Sequence, residues 1–168
     1  ADAFAGYDRL FSAEREWGAL IEAACSAPAR RKIHDVYISA GGRMAEEALK
    51  RIGELYAIEE EIRGWPEAER LVVRQVRSKT LLDSLHDWMV EKSAMLSKKS
   101  RLGEAFAYVL NKWDALCYYS SDGLVEPDNN TAERALRAIC LGKKNYIFFG
   151  SDHGGERGAL LYGLIGTC

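Results

Sequence analysis

No apolar run in the chain approaches the about 20 residues that a membrane-spanning helix needs, so a membrane span is not expected. No secretory leader is apparent either, since the first ten residues already carry Asp2, Asp8 and Arg9. The four cysteines (Cys25, Cys117, Cys140, Cys168) form no C-x-x-C pair. Their wide spacing argues against a disulfide scaffold or a zinc knuckle and for reduced thiols in a cytoplasm. His34, His86 and His153 are far apart, and none has metal-ligand spacing with another His or Cys. No Ser-His-Asp nucleophile signature is present, and the glycine run 150–155 fits neither the Walker A nor the dinucleotide pattern. Charge of one sign is also missing: 23 Lys and Arg face 25 Asp and Glu, for a net charge of −2. A nucleic-acid surface must therefore be local.

What is present is an ordinary globular composition, 48% hydrophobic and 29% charged over 168 residues. That is enough for one compact domain, or for a small domain carrying an insertion. Leu20 to Cys25 is a short apolar stretch, either a buried strand or a helix end. Pro28 predicts the start of a helix to about Ser39, broken by Gly41-Gly42. Arg43 to Arg63 repeats Ala45, Ala48, Leu49, Ile52, Leu55 and Tyr56 at helical steps, with Gly64 as a stop. Glu67 to Arg77 predicts a helix with a basic face of Arg70, Arg74 and Arg77. Ser78 to about Leu96 predicts another, apolar through Leu81, Leu82, Leu85, Trp88, Met89 and Met95. Leu102 to Tyr118 repeats the pattern. Residues 43–118 thus predict an antiparallel helical bundle with short links.

The texture changes at Ser120. Residues 120–123 predict a turn, and 124–127 an extended stretch. Lys144 to Phe149 has strand composition, 150–155 reads as a loop, and Glu156 to Ile165 as a last helix. The segment Glu126 to Arg137 carries the most information. Asn130-x-x-Glu133 fits a capping box, a common device contributing about 1 kcal/mol. The alternative is a carboxylate held on the first turn of a helix and sharing a divalent cation with other acids. Arg134 and Arg137 on that helix are placed to reach phosphate oxygens, or Arg137 to pair with Glu133. Asp2 by itself carries no signal.

The segment from Asp128 to Arg137 resembles the D-N-N-x-x-E-R-A-L-R motif of bacterial transposases of the insertion sequence 66 family. Leu141-Gly142-Lys143-Lys144-Asn145-Tyr146 resembles that family's L-G-R-K-N-W, and Gly150 to Arg157 its G-S-D-x-G-G-E-R. Asp2 to Tyr7 resembles D-A-Y-A-G-Y, and Arg74 to Lys79 resembles R-Q-x-R-S-x-P. The likeness covers essentially the whole chain. Where the family reads A-C-W-A-H-A-R-R-K-F, this chain has Ser26, Pro28 and Ile33 in place of the Trp, His and Phe, and keeps Arg30-Arg31-Lys32.

The resemblance implies an α/β fold, mainly α over these residues: part of an RNase H-like core interrupted by a helical-bundle insertion. The implied boundaries are 1–40 (core), 41–119 (insertion) and 120–168 (core). Asp2 would be the second aspartate and Glu133 the glutamate of an Asp-Asp-Glu triad, serving as catalytic and metal ligands. The cofactor would be Mg2+ or Mn2+, since hard oxygen donors suit such cations. The reaction would be metal-dependent strand cleavage and transfer in DNA transposition, in a bacterial cytoplasm at the nucleoid. The implied partners are transposon ends and target DNA, with self-association possible. The DNA-contacting candidates are Arg30, Arg31, Lys32, Arg74, Arg77, Arg134, Arg137, Lys143 and Lys144. The first triad aspartate would lie upstream of Ala1, so the chain reads as a truncated piece, expected to be inactive alone. The alternatives are a non-catalytic DNA-binding or interaction module built from the bundle, and a structural helical protein whose 128–137 motif is only a cap.

Overall fold

A computed structural model describes residues 20–130, Arg134, Arg137 and 150–167. The chain divides into two compact units, 1–128 and 129–168. Among the described residues there are helices and turns but no strand.

In the first unit, α1 (Ser26–Ala40), α2 (Arg43–Glu61), α3 (Glu67–Val73) and α4 (Lys79–Ser93) are followed by α5 (Arg101–Asn111) and the short α6 (Trp113–Cys117). A 3-10 turn, Tyr118–Ser121, ends the series. α1 packs on α2 and α5, α2 on α4, and α4 on α5, which closes a four-helix ring. α1 therefore belongs to the bundle, although the implied boundary at 40/41 separates the two.

Helical spacing explains the ring. Ala45, Ala48, Ile52 and Leu55 of α2 recur at three and four residues and are buried. Leu82, Leu85 and Met89 of α4 meet them, with Ile33 of α1 and Ala105, Phe106 and Val109 of α5. Phe106 and Met89 are fully enclosed, and Trp88 lies edge-tilted on Phe106 at 5.9 Å. Pro28 falls in the first turn of α1, where its missing N–H costs nothing. Gly41 (φ 68°) and Gly42 (φ 108°) take left-handed conformations that turn the chain from α1 into α2. Ser100 caps α5, its hydroxyl accepting from the Gly103 N–H at 3.1 Å.

Several expectations are corrected. Residues 20–25 are neither strand nor helix. No break occurs at Ser78: α3 runs into α4 through a wider π-helical turn, Arg74–Ser78. The basic stripe on this stretch does not form as an exposed face, because Arg74 is 0% exposed. Met95 lies outside the core, 66% exposed.

The second unit is described only in part. Asn130, Arg134 and Arg137 are helical. Asn130 already lies inside its helix, which moves the expected cap one residue upstream, within the usual latitude of helix ends. The last helix, α7 (Asp152–Thr167), begins four residues before the expected Glu156. Ser151 caps it by accepting the Gly154 N–H at 3.1 Å, and this overrides the low helix propensity of Gly154 and Gly155. The expected strand at 144–149 lies outside the described residues.

Candidate nucleic-acid interface

The bundle brings its inbound and outbound strands of chain together. The Ala24 N–H donates to the Ala115 carbonyl and the Ser26 N–H to the Pro127 carbonyl, both at 2.8 Å. Lys112 Nζ holds the Glu22 carboxylate at 3.2 Å. The stretch arriving from the side of Asp2 thus lies against the stretch leaving toward Glu133. Cys25 and Pro127 are buried where they meet.

The outbound stretch is organised by side chains. Asp122 Oδ1 accepts from the Leu124 N–H at 2.7 Å and the Val125 N–H at 3.1 Å. Those two bonds, with a smaller contribution from the nearby Arg74 cation, hold its carboxyl below the usual value. Arg74 reaches the same stretch from beneath. Its Nε and Nη2 donate to the two oxygens of Glu59 at 3.0 and 2.6 Å. Its Nη1 donates to the carbonyls of Tyr119, Asp122 and Val125 at 3.2, 2.6 and 2.8 Å. Arg70 pairs with Glu126 at 2.6 Å, and Gln75 Nε2 donates to the Ser120 carbonyl at 2.7 Å.

Arg74 is therefore withdrawn from the candidate phosphate contacts: it is fully enclosed and all three of its nitrogens are engaged. Arg77 reaches the surface, but its Nη1 lies 2.8 Å from Glu61 Oε1. That bond lowers the Glu61 carboxyl and raises the Arg77 guanidinium. Arg30, Arg31 and Lys32 are exposed on α1 or border its exposed face, and Lys32 Nζ stands 4.8 Å over the Tyr108 ring. Arg134 and Arg137 are exposed and each is helical. Asp2, Glu133, Lys143 and Lys144 lie outside the described residues. Among the described residues no group of three or more His, Cys, Asp or Glu is gathered as a metal cluster, and no helix is long and apolar enough to cross a membrane. Burial, with Asp114 and Asp83 adding to it, pushes the Cys117 thiol up to about 12, so it is protonated at neutral pH.

Periodicity alone did not single out Glu59, Gln75 or Gly123. One signal was available: Glu59 interrupts the apolar stripe of α2 between Leu55 and Ile62, and a buried acid calls for a buried cation.

A family model described as Transposase IS66 family matches residues 1–157. The chain belongs to the IS66 transposase family. Three relatives come from Sinorhizobium fredii (strain NBRC 101917 / NGR234). The uncharacterized protein y4hP is 38% identical over 180 residues, covering 100% of this chain and 33% of the relative. The uncharacterized protein y4qI is 34% identical over 170 residues, covering 99% and 32%. The uncharacterized protein y4jD is 37% identical over 145 residues, covering 86% and 28%. This IS66-family chain thus spans about a third of the length of the curated relatives it matches. No solved structure matches it.

Proposed function

We propose that this chain is a section of a transposase catalytic region in which Asp2 and Glu133 supply two carboxylates of an Asp-Asp-Glu triad. In this reading the helical bundle is an insertion in an RNase H-like core, and the reaction is strand cleavage and transfer on DNA. One observation carries it. The chain enters and leaves the bundle at one place, with Ser26 bonded to Pro127. An insertion of that shape leaves a core on either side of it free to close, so carboxylates far apart in sequence need not be far apart in space.

The donor set fits the chemistry. Carboxylate oxygens are hard ligands suited to Mg2+ or Mn2+, and a divalent cation there supplies Lewis-acid stabilisation of charge at phosphorus. The protein's own part is to hold the acids and the duplex. Arg30, Arg31, Lys32, Arg134, Arg137, Lys143 and Lys144 are assigned to phosphate oxygens, where they position DNA without reading its sequence.

Mn2+ titration followed by the EPR signal of free Mn2+ tests the assignment. Asp2→Asn and Glu133→Gln should each weaken binding. Equal affinity in wild type and both variants would refute it. A second reading, a DNA-binding module without chemistry, draws on the exposed basic turn of α1. It requires DNA affinity that is unchanged in EDTA and by Glu133→Gln but reduced by Arg30→Glu.

A further inference from the structure

The motif Arg74-Gln75-Val76-Arg77-Ser78 looks from sequence like a DNA-contacting run. In the folded chain its first two residues face a different task. The geometry points to Arg74 as a positioning residue: with Glu59, Gln75 and Arg70 it latches residues 119–126 onto the bundle. Those residues lead directly into the Asp128–Arg137 motif. The importance of the latch for chemistry rests on the triad reading, whereas the latch itself does not.

Residues 122–127 belong to neither helix nor sheet, so their carbonyls have no regular backbone donors. A buried carbonyl needs a partner. Arg74 Nη1 supplies one for Asp122 and Val125, and it also reaches the Tyr119 carbonyl, which accepts the Asp122 N–H as well. The other edge of the same guanidinium is locked on both oxygens of Glu59. This arrangement uses the planar fork of arginine, in which one edge grips a carboxylate while the remaining nitrogen points away from it. Lysine has one nitrogen and cannot occupy both places.

Three more contacts close on the same stretch. Gln75 holds the Ser120 carbonyl, and Arg70 holds Glu126 while standing 3.9 Å from Glu59. Gly123 lies against the Glu67 backbone, so closely that a Cβ would collide with the Glu67 carbonyl. The wide π turn over Arg74–Ser78 sits where Arg74 and Gln75 make these contacts, and such turns recur where a helix must aim a side chain.

Amide hydrogen exchange on the 168-residue chain tests the latch. In Arg74→Met the amides of Asp122, Leu124 and Val125 should exchange at least about tenfold faster relative to those of Phe106 and Val109. Arg74→Lys should not rescue them. Gln75→Ala, at an exposed position, should shift the same amides in the same direction by a smaller factor. An unchanged ratio of segment to core rates in Arg74→Met and Gln75→Ala would overturn the latch. Full protection in Arg74→Lys would also overturn it, because a buried cation would then suffice without the fork. Exchange needs neither metal nor DNA, so these outcomes are independent of the triad assignment. Mn2+ affinity read alongside separates the two ideas. A severalfold loss in Arg74→Met, matching the direction of Glu133→Gln, supports positioning. A loss in Glu133→Gln but none in Arg74→Met overturns positioning. No loss in either, with fast segment exchange, supports the latch and refutes the triad reading.

Discussion

Glu59 and Arg74 are the two charged residues among the buried polar groups of the described core, at 8% and 0% exposure. Removing one partner strands the other. Glu59→Leu should lower unfolding stability by about 3–5 kcal/mol, measured by urea denaturation. An isolated buried pair is often replaced by apolar residues at little cost, but this pair is not isolated. The double variant Glu59→Leu/Arg74→Met would leave the part-buried carbonyls of Asp122 and Val125 without this donor, each costing up to about 1–3 kcal/mol. It should therefore stay well below wild type, and a double variant of wild-type stability would contradict the account. Asp122 gives a pH signature of the same stretch. Its folded pKa lies below the ordinary 3.8, so its contribution is present above that value and is lost as pH falls through the lowered one. An NMR titration of its carboxyl should show a midpoint below 3.8, and a midpoint above it would contradict the turn geometry. None of this was legible in the spacing. An arginine in a run of basic residues reads as surface because arginine is seldom enclosed, and only Glu59's place in an apolar stripe hinted otherwise.

At the scale of elements, the apolar repeat made α2, α4 and α5 readable, because amphipathic helices carry their packing face in their spacing. Boundaries were less so. The junction at Arg74–Ser78 is continuous because the chain widens one turn instead of stopping, and no residue type announces that. The start of α7 was hidden by glycines that Ser151 outweighs. Glycines with different duties give a paired prediction. Gly41→Ala meets no atom but must hold φ 68°, and should cost about 1–2 kcal/mol. Gly53→Ala, inside α2 with open space at its Cβ, should stabilise by about 0.5–1 kcal/mol. Thermal melts of the two variants shifting in the same direction would contradict the assigned backbone.

For the molecule as a whole, the meeting of residues 24–26 with 115 and 127 brings the chain's entry to the bundle and its exit together. That meeting could not be read from periodicity, which reports faces and not partners. The ordered motifs carried the family, and the proposed insertion reading rests on that joined entry and exit. DNA affinity supplies a test at this scale. Arg30→Glu with Arg31→Glu should weaken binding uniformly across sequences and reduce the salt slope by about one for each phosphate that loses its cation. Arg77→Ala should have little effect, since Glu61 already occupies that cation. The most direct test of the account asks whether one cation touches both acids. Fe2+ in place of Mg2+, activated with ascorbate and peroxide, cleaves backbone beside the site that binds it. Cuts near residue 2 and near residue 133, both abolished by Glu133→Gln, are the predicted result; cuts near one position only, or cuts indifferent to that substitution, would contradict it.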